Sequence, residues 1–229
     1  MNVWGQEKKN AVKILPLSLP LNSAVFEYER MLNEKNAVEF GIGLPLKRTF
    51  VNKFGMSWSE DENISNDKLD IFSLRAAYRH YTGKSMLPKG FYIAPYIRYQ
   101  NISASADNVR TIEDDLGNSS YNEDYDAKIH TIGAGCQLGY QFLISKTITL
   151  DLFFFGLEAG LGKVDADIYI SDPEQVDDIY NDVSDAINDF PSMWGNKIDV
   201  TSDNDNVYIK GKNLFYPMYR GGISLGIAF

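Results

Sequence analysis

At 229 residues the chain suits one large all-β domain or two small ones, and its 44% hydrophobic content, with 14 Tyr and 13 Phe, favours strands. A mean hydropathy of -0.27, with no run near the roughly 18 apolar residues of a spanning helix, excludes a helical membrane protein but not a barrel, whose alternating strands dilute hydropathy. The net charge of −9 without a basic stripe argues against nucleic-acid binding, and Cys136, the only cysteine, leaves no disulfide to form within the chain.

The opening MNVWGQEKK lacks both a charged n-region and an apolar core, so residues 1–10 are expected to be an N-terminal tail, the remnant of a signal peptide cleaved near Gln6. Residues 11–229 are then one domain. Eight segments alternate with period two between turn residues: 11–19, 23–32, 37–46, 70–82, 90–103, 127–143, 147–170 and 207–229. The spacing predicts short connections at 20–22, 33–36, 83–89 and 145–146, and long loops at about 47–69, 104–126 and 171–206. Apart from the first, odd connections are long and even ones short, the rule for an antiparallel up-and-down transmembrane β-barrel with short periplasmic turns and long outer loops.

The two faces of each strand differ in kind. In the fifth segment Phe91, Ile93, Ile97 and Tyr99 oppose Tyr92, Ala94, Tyr96, Arg98 and Gln100; in the sixth Ile132, Cys136, Leu138 and Tyr140 oppose Gly133, Gly135, Gln137 and Gly139. One face is bulky and apolar, the other small or charged. A soluble lipocalin-like barrel, the alternative, would turn the apolar face inward around an apolar ligand. The many glycines and few long solubilising side chains of the polar face favour a tight lumen instead. In the seventh segment the apolar parity switches between Leu152 and Phe155, which predicts a β-bulge within Phe153 to Gly156. The first is apolar on both parities, and Lys13 is assigned inward.

The runs NAVKILPLSL, FEYERMLNEKNAVEFGIGLP, YRHY and YRGGISLGIAF resemble small outer-membrane barrel proteins of unknown function from Bacteroidota, over nearly all the strands. The plan is more distantly similar to the barrels of OmpA and OmpX proteins. The resemblance implies a bacterial outer-membrane location, contact with lipid and lipopolysaccharide, and handling by the barrel assembly machinery. It also makes Ile223, Leu225, Ile227 and Phe229 the C-terminal signal by which such barrels are recognised for assembly. It implies no substrate.

Eight strands enclose a space that side chains fill, so the lumen is expected to be plugged. On the inward parity lie Lys13, Arg75, Arg79, Arg98 and Arg220 against Glu27, Glu29, Glu39 and Glu158, with Asp151 added if the bulge follows it. Near balance predicts mutual pairing, a structural ionic network rather than an ion path.

An enzyme, for example an outer-membrane lipid hydrolase, would need His80 or His130 as a base, yet both fall on the outward parity at opposite ends of the barrel. No catalytic, cofactor or metal site is expected. The stretches 105–126 and 171–206 hold 17 acids and only Arg110 and Lys197 as bases, so the outer loops carry −15 and are the expected place for a protein partner or cations. No EF-hand spacing organises Glu113, Asp114, Asp115, Glu123, Asp124, Asp126, Asp203 or Asp205, and they are assigned to a solvated rim. One short amphipathic helix is predicted after a Ser171 or Asp172 cap, with Val176, Ile179, Tyr180, Val183, Ile187 and Phe190 as its apolar stripe, packed over the barrel mouth.

Overall fold

The computed structural model describes residues 8–46, 68–114, 117–189 and 197–229. Among the described residues there are nine antiparallel strands: β1 (Asn10–Leu15), β2 (Ser23–Met31), β3 (Asn36–Pro45), β4 (Lys68–Tyr81), β5 (Gly90–Asp114), β6 (Gly117–Ile144), β7 (Ile148–Ile170), β8 (Ile198–Ser202) and β9 (Asn206–Ala228). One α-helix, α1 (Val176–Asn188), lies between β7 and β8. Each strand pairs with its successor from β1 to β7, β7 pairs with β9, and β9 returns to β1 through Ala11 with Ala228 and Ile14 with Leu225. Eight strands therefore close a ring. β8 stays outside it, on the free side of Val207–Gly211.

Period-two alternation holds the ring in register. Burial along β2 alternates from Val25 to Met31, and along β4 from Leu74 to Tyr81. A slip of one residue would exchange the two faces of a strand, so this contrast specifies each pairing strongly. Both ends of the chain meet at one rim, where Asn10 and Phe229 exchange backbone hydrogen bonds of 3.1 and 2.9 Å. The tight connections lie at the same rim. Ser145, Lys146 and Thr147 join β6 to β7; Ser145 and Lys146 have left-handed φ of 51° and 58°, and the Thr147 N–H closes the turn on the Ile144 carbonyl at 3.0 Å. The register of β7 shifts between Phe153 and Gly156 against β9, so the expected bulge falls after Asp151 and turns Phe153 inward while Phe154 and Phe155 face out.

Four sequence expectations are corrected. The first strand ends at Leu15, not residue 19, because Pro16 and Pro20 lie in a 3-10 turn over Pro16–Leu21. Residues 104–114 and 117–126 are strand, not loop: β5 and β6 continue past the ring, paired out to Asp114 with Gly117, and β6 stays paired with β7 as far as Glu123 with Ile170. The expected 171–206 loop contains β8 as well as the helix, and the expected loop at 47–69 ends by Lys68, where β4 begins; residues 47–67 lie outside the described ones. Residues 1–7 of the expected tail lie outside them too.

Beyond the ring, β6, β7, β9 and β8 form a small outer sheet with a second apolar cluster. Asp172 accepts a hydrogen bond from the Glu174 backbone N–H at 3.1 Å and starts the helical segment through a 3-10 turn at Pro173–Gln175. Val176, Ile179 and Ile187 of α1 are buried, and Val176 and Ile179 pack with Tyr121, Ile168, Ile170 and Val207; the predicted Phe190 lies outside the described residues. By strand parity this is the face continuous with the interior of the ring. Replacing residues 174–189 with a Gly-Ser linker removes three buried side chains, each worth roughly 1.5–3 kcal/mol to the sheet it covers. Hydrogen exchange should accelerate at β8 and at 117–126 while β2 and β3 keep their protection; equal loss in all four would mean that the outer sheet and the ring are one cooperative unit.

Candidate functional site in the charged lumen

The inward side chains stack in layers from the rim that holds the termini. Met31, Ala37, Tyr81, Tyr92 and Ala94 make an apolar floor, with the Tyr81 and Tyr92 rings edge to face at 5.6 Å. Tyr92 lies flat against β6 because Gly139 stands opposite, where a Cβ would come within 2.6 Å of Tyr92 Cζ. Gly160 makes the same room for Tyr216. Small residues on one strand and large ones on the next let eight strands fill their interior.

Above the floor Lys13 is wholly buried. Its Nζ lies 2.7 Å from Glu29 Oε2, 2.7 Å from Glu39 Oε2 and 3.4 Å from Asp151 Oδ2, and donates to Gln141 Oε1 at 2.9 Å. Arg79, equally buried, pairs with Asp151 at 2.7 Å and with Glu39, donates to Gln141 at 2.9 Å, and stacks its guanidinium 4.2 Å from the Tyr92 ring centre. Hydroxyls complete the layer: Tyr81 donates to Glu29 at 2.5 Å and Tyr92 to Asp151 at 2.9 Å.

The next layer is held by three guanidiniums. Arg75 pairs with Glu27 at 2.5 Å and with Glu39, which also contacts Lys13 and so joins the two layers. Arg220 pairs with Glu27 at 3.1 Å, donates to Gln137 and lies 4.4 Å from the Phe153 ring centre. Arg98 donates to Glu158 through Nε at 3.2 Å and Nη2 at 2.9 Å. The ten charged residues picked out by parity thus occupy one interior, five of each sign, and each has an oppositely charged partner.

Parity alone did not single out the neutral members of the network. Gln137 and Gln141 are buried and relay between charged groups, and Tyr81 and Tyr92 anchor the carboxylates. The available signal was a glutamine repeated at the inward positions of an otherwise glycine-rich strand. What this arrangement does chemically is hold charge still, since each of these ten ions has an oppositely charged partner.

Other candidate residues lie apart. His80 contacts Asn36 Oδ1 at 2.7 Å and stands beside Ile93, while His130 contacts Tyr99 at 3.4 Å and stands beside Asn101. Eight residues of β5 separate those positions, on the order of 26 Å at 3.3 Å per strand residue. Cys136 is exposed on the outer face. Strand alternation also divides the 123–126 acids, since Glu123 is buried beside Arg110 whereas Asp124 and Asp126 are exposed; the side chains of Glu113, Asp114 and Asp115 lie outside the described ones. Burial and a hydrogen bond to Glu123 push the Tyr125 hydroxyl up to about 12. At the β8–β9 turn Asp203 accepts from the backbone N–H groups of Asp205 and Asn206 and from Tyr208, which hold its carboxyl below the ordinary range. Glu123 thus serves a local pair and Asp203 a local turn.

The outer face of the ring is apolar. Ile97, Ile132, Tyr219 and Ile227 are 60–64% exposed, and Phe26, Phe40, Leu74, Leu157 and Leu225 continue the belt. Ile223, Leu225, Ile227 and Phe229 all belong to it. Comparison with family models, with curated proteins and with solved structures returns no match.

Proposed function

We propose that this chain is a non-enzymatic β-barrel of the bacterial outer membrane, a structural or accessory protein whose lumen is plugged by ion pairs and whose outer segments meet a partner or cations. The observation that carries this reading is the inversion of the two faces: the closed ring turns large apolar side chains outward on its strands and encloses balanced charges. In water such a belt is an aggregation surface far beyond the few hundred Å² that soluble monomers tolerate, whereas in a bilayer it is the solvent-matched face. The charged interior also speaks against the lipocalin-like alternative, because an apolar ligand would have to displace paired ions. The resemblance of the strands to small Bacteroidota outer-membrane barrels points the same way, and with it comes the role of Ile223, Leu225, Ile227 and Phe229 as an assembly signal.

Detergent dependence tests this directly. The refolded chain is expected to be monomeric in detergent micelles or lipid discs, to migrate anomalously on unheated SDS gels, and to aggregate when detergent is withdrawn. A folded monomer in plain buffer would refute the membrane reading and restore the soluble barrel.

A further inference from the structure

Between the ion-paired layers and the 3-10 turn, the interior opens into a cavity of about 210 Å³. Its charged lining is Arg75, Arg98 and Arg220, and among the described residues no carboxylate lines it. Ser73 and Gln100 add polar atoms, while Leu15, Val25 and Phe153 are among its apolar wall residues. The partners of the three guanidiniums lie away from this space: Glu27, Glu39 and Glu158 pair with them but do not line it. Glu39 spans the two layers, so the ten charges cancel across the lumen as a whole, while the face turned to the cavity presents, among the described residues, only guanidiniums as charged groups. A second observation points to a ligand. The Arg75 side chain is only 6% exposed, and its Nη1 is buried without a hydrogen-bond partner, a donor whose desolvation is left uncompensated.

We propose that this vestibule binds one small organic anion, a carboxylate or phosphate group carried on a short apolar body. Guanidinium forks match such oxyanions in geometry as well as charge. The anion accepts from the unpartnered Nη1 of Arg75, and the apolar wall takes the body. The volume lies below the roughly 300–1,000 Å³ of drug-sized sites, which restricts the body to a few carbons. The same head group is offered by an outer-leaflet lipid and by a free acid reaching the mouth from outside, so the chemistry is shared and only the source differs. The proposal adds a ligand to the barrel described above and rests on that barrel being folded in a membrane.

The test is a calorimetric titration of hexanoate into the full chain in phosphatidylcholine nanodiscs, with empty discs subtracted and folding verified by unheated-gel mobility. Saturable binding of one hexanoate per chain is expected. Arg220→Gln or Arg98→Gln should weaken it about tenfold or more, as loss of a charge-assisted hydrogen bond does. Arg30→Gln, exposed and outside the cavity, should leave it unchanged. Ser73→Glu guards against variants that fail to fold, because it supplies a tethered carboxylate: it should abolish binding while keeping or raising the temperature at which the fold is lost. Hexanol binding as tightly as hexanoate, or no binding above empty discs by a folded chain, overturns the proposal. Weaker hexanoate binding in phosphatidylglycerol discs supports the site and identifies leaflet lipid as the source; unchanged binding supports the site and identifies the outer solution. If the chain is instead soluble, the membrane reading fails by itself and the same titration in buffer still decides the vestibule.

Discussion

Arg79→Met should cost the folded barrel about 3–5 kcal/mol, the usual loss when one partner of a buried ion pair is removed and the other stays charged. Methionine keeps most of the volume, so the loss is electrostatic. Arg79 is fully buried and faces Asp151 and Glu39, while Lys13, also paired with both, cannot alone balance Glu29, Glu39 and Asp151. The stacking contact with Tyr92 is lost as well. The measurement is the temperature at which the unheated-gel mobility shift disappears, compared with Arg30→Met on the exposed face. Adding Asp151→Leu should recover part of the loss, since an ion pair replaced on both sides by apolar groups is often neutral, and the double variant should fall short of the summed singles. Matching transition temperatures for Arg79→Met and Arg30→Met would mean that the layer is hydrated and not buried.

Gly139→Val is expected to be comparably disruptive for a steric reason. Its Cβ would stand 2.6 Å from Tyr92 Cζ and 2.8 Å from the Leu152 carbonyl oxygen. The ring can move, but the carbonyl is fixed by the strand ladder. Overpacking of this kind costs about 1–3 kcal/mol, and moving Tyr92 also breaks its hydrogen bonds with Asp151 and Gln137, leaving buried polar groups at a further cost of about 1–3 kcal/mol. Tyr92→Phe removes only the hydroxyl and should be milder. Adding Tyr92→Ala to Gly139→Val should relieve the clash in part, because the Leu152 carbonyl remains. If Gly139→Val refolds with the wild-type transition temperature, the ring does not pack against β6 as described.

Much of this site was legible in the sequence because the relevant signal is local. A strand places neighbours on opposite faces, so parity sorts Arg75 and Arg79 from Leu74 and Tyr78 without knowledge of any partner. The switch of apolar parity between Leu152 and Phe155 marks a bulge for the same reason, and its position after Asp151 adds that carboxylate to the interior. Where both faces are alike the signal vanishes. Residues 104–126 are rich in Asp, Asn and Ser on both parities and read as a loop, yet Val109, Tyr121 and Tyr125 belong to a long ribbon whose order comes from cross-strand pairing. β8 escaped notice because five residues with only Ile198 and Val200 as apolar members carry too little contrast.

The sequence by itself determined which side chains face inward, how the signs balance and where the register must shift, since each depends on alternation within one strand. Tertiary structure alone decided who pairs with whom: that Glu39 joins Lys13, Arg75 and Arg79, that Gln141 serves both Lys13 and Arg79, and that Arg75, Arg98 and Arg220 line a space that, among the described residues, no carboxylate lines. It also decided that the apolar stripe of α1 is taken up by the outer sheet and not displayed. Those contacts link residues up to 193 positions apart, Glu27 with Arg220 being the longest, and they depend on strand tilt and on closure of β9 onto β1. Alternation carries no information about either, because a face is a property of one strand and a neighbour is a property of the ring.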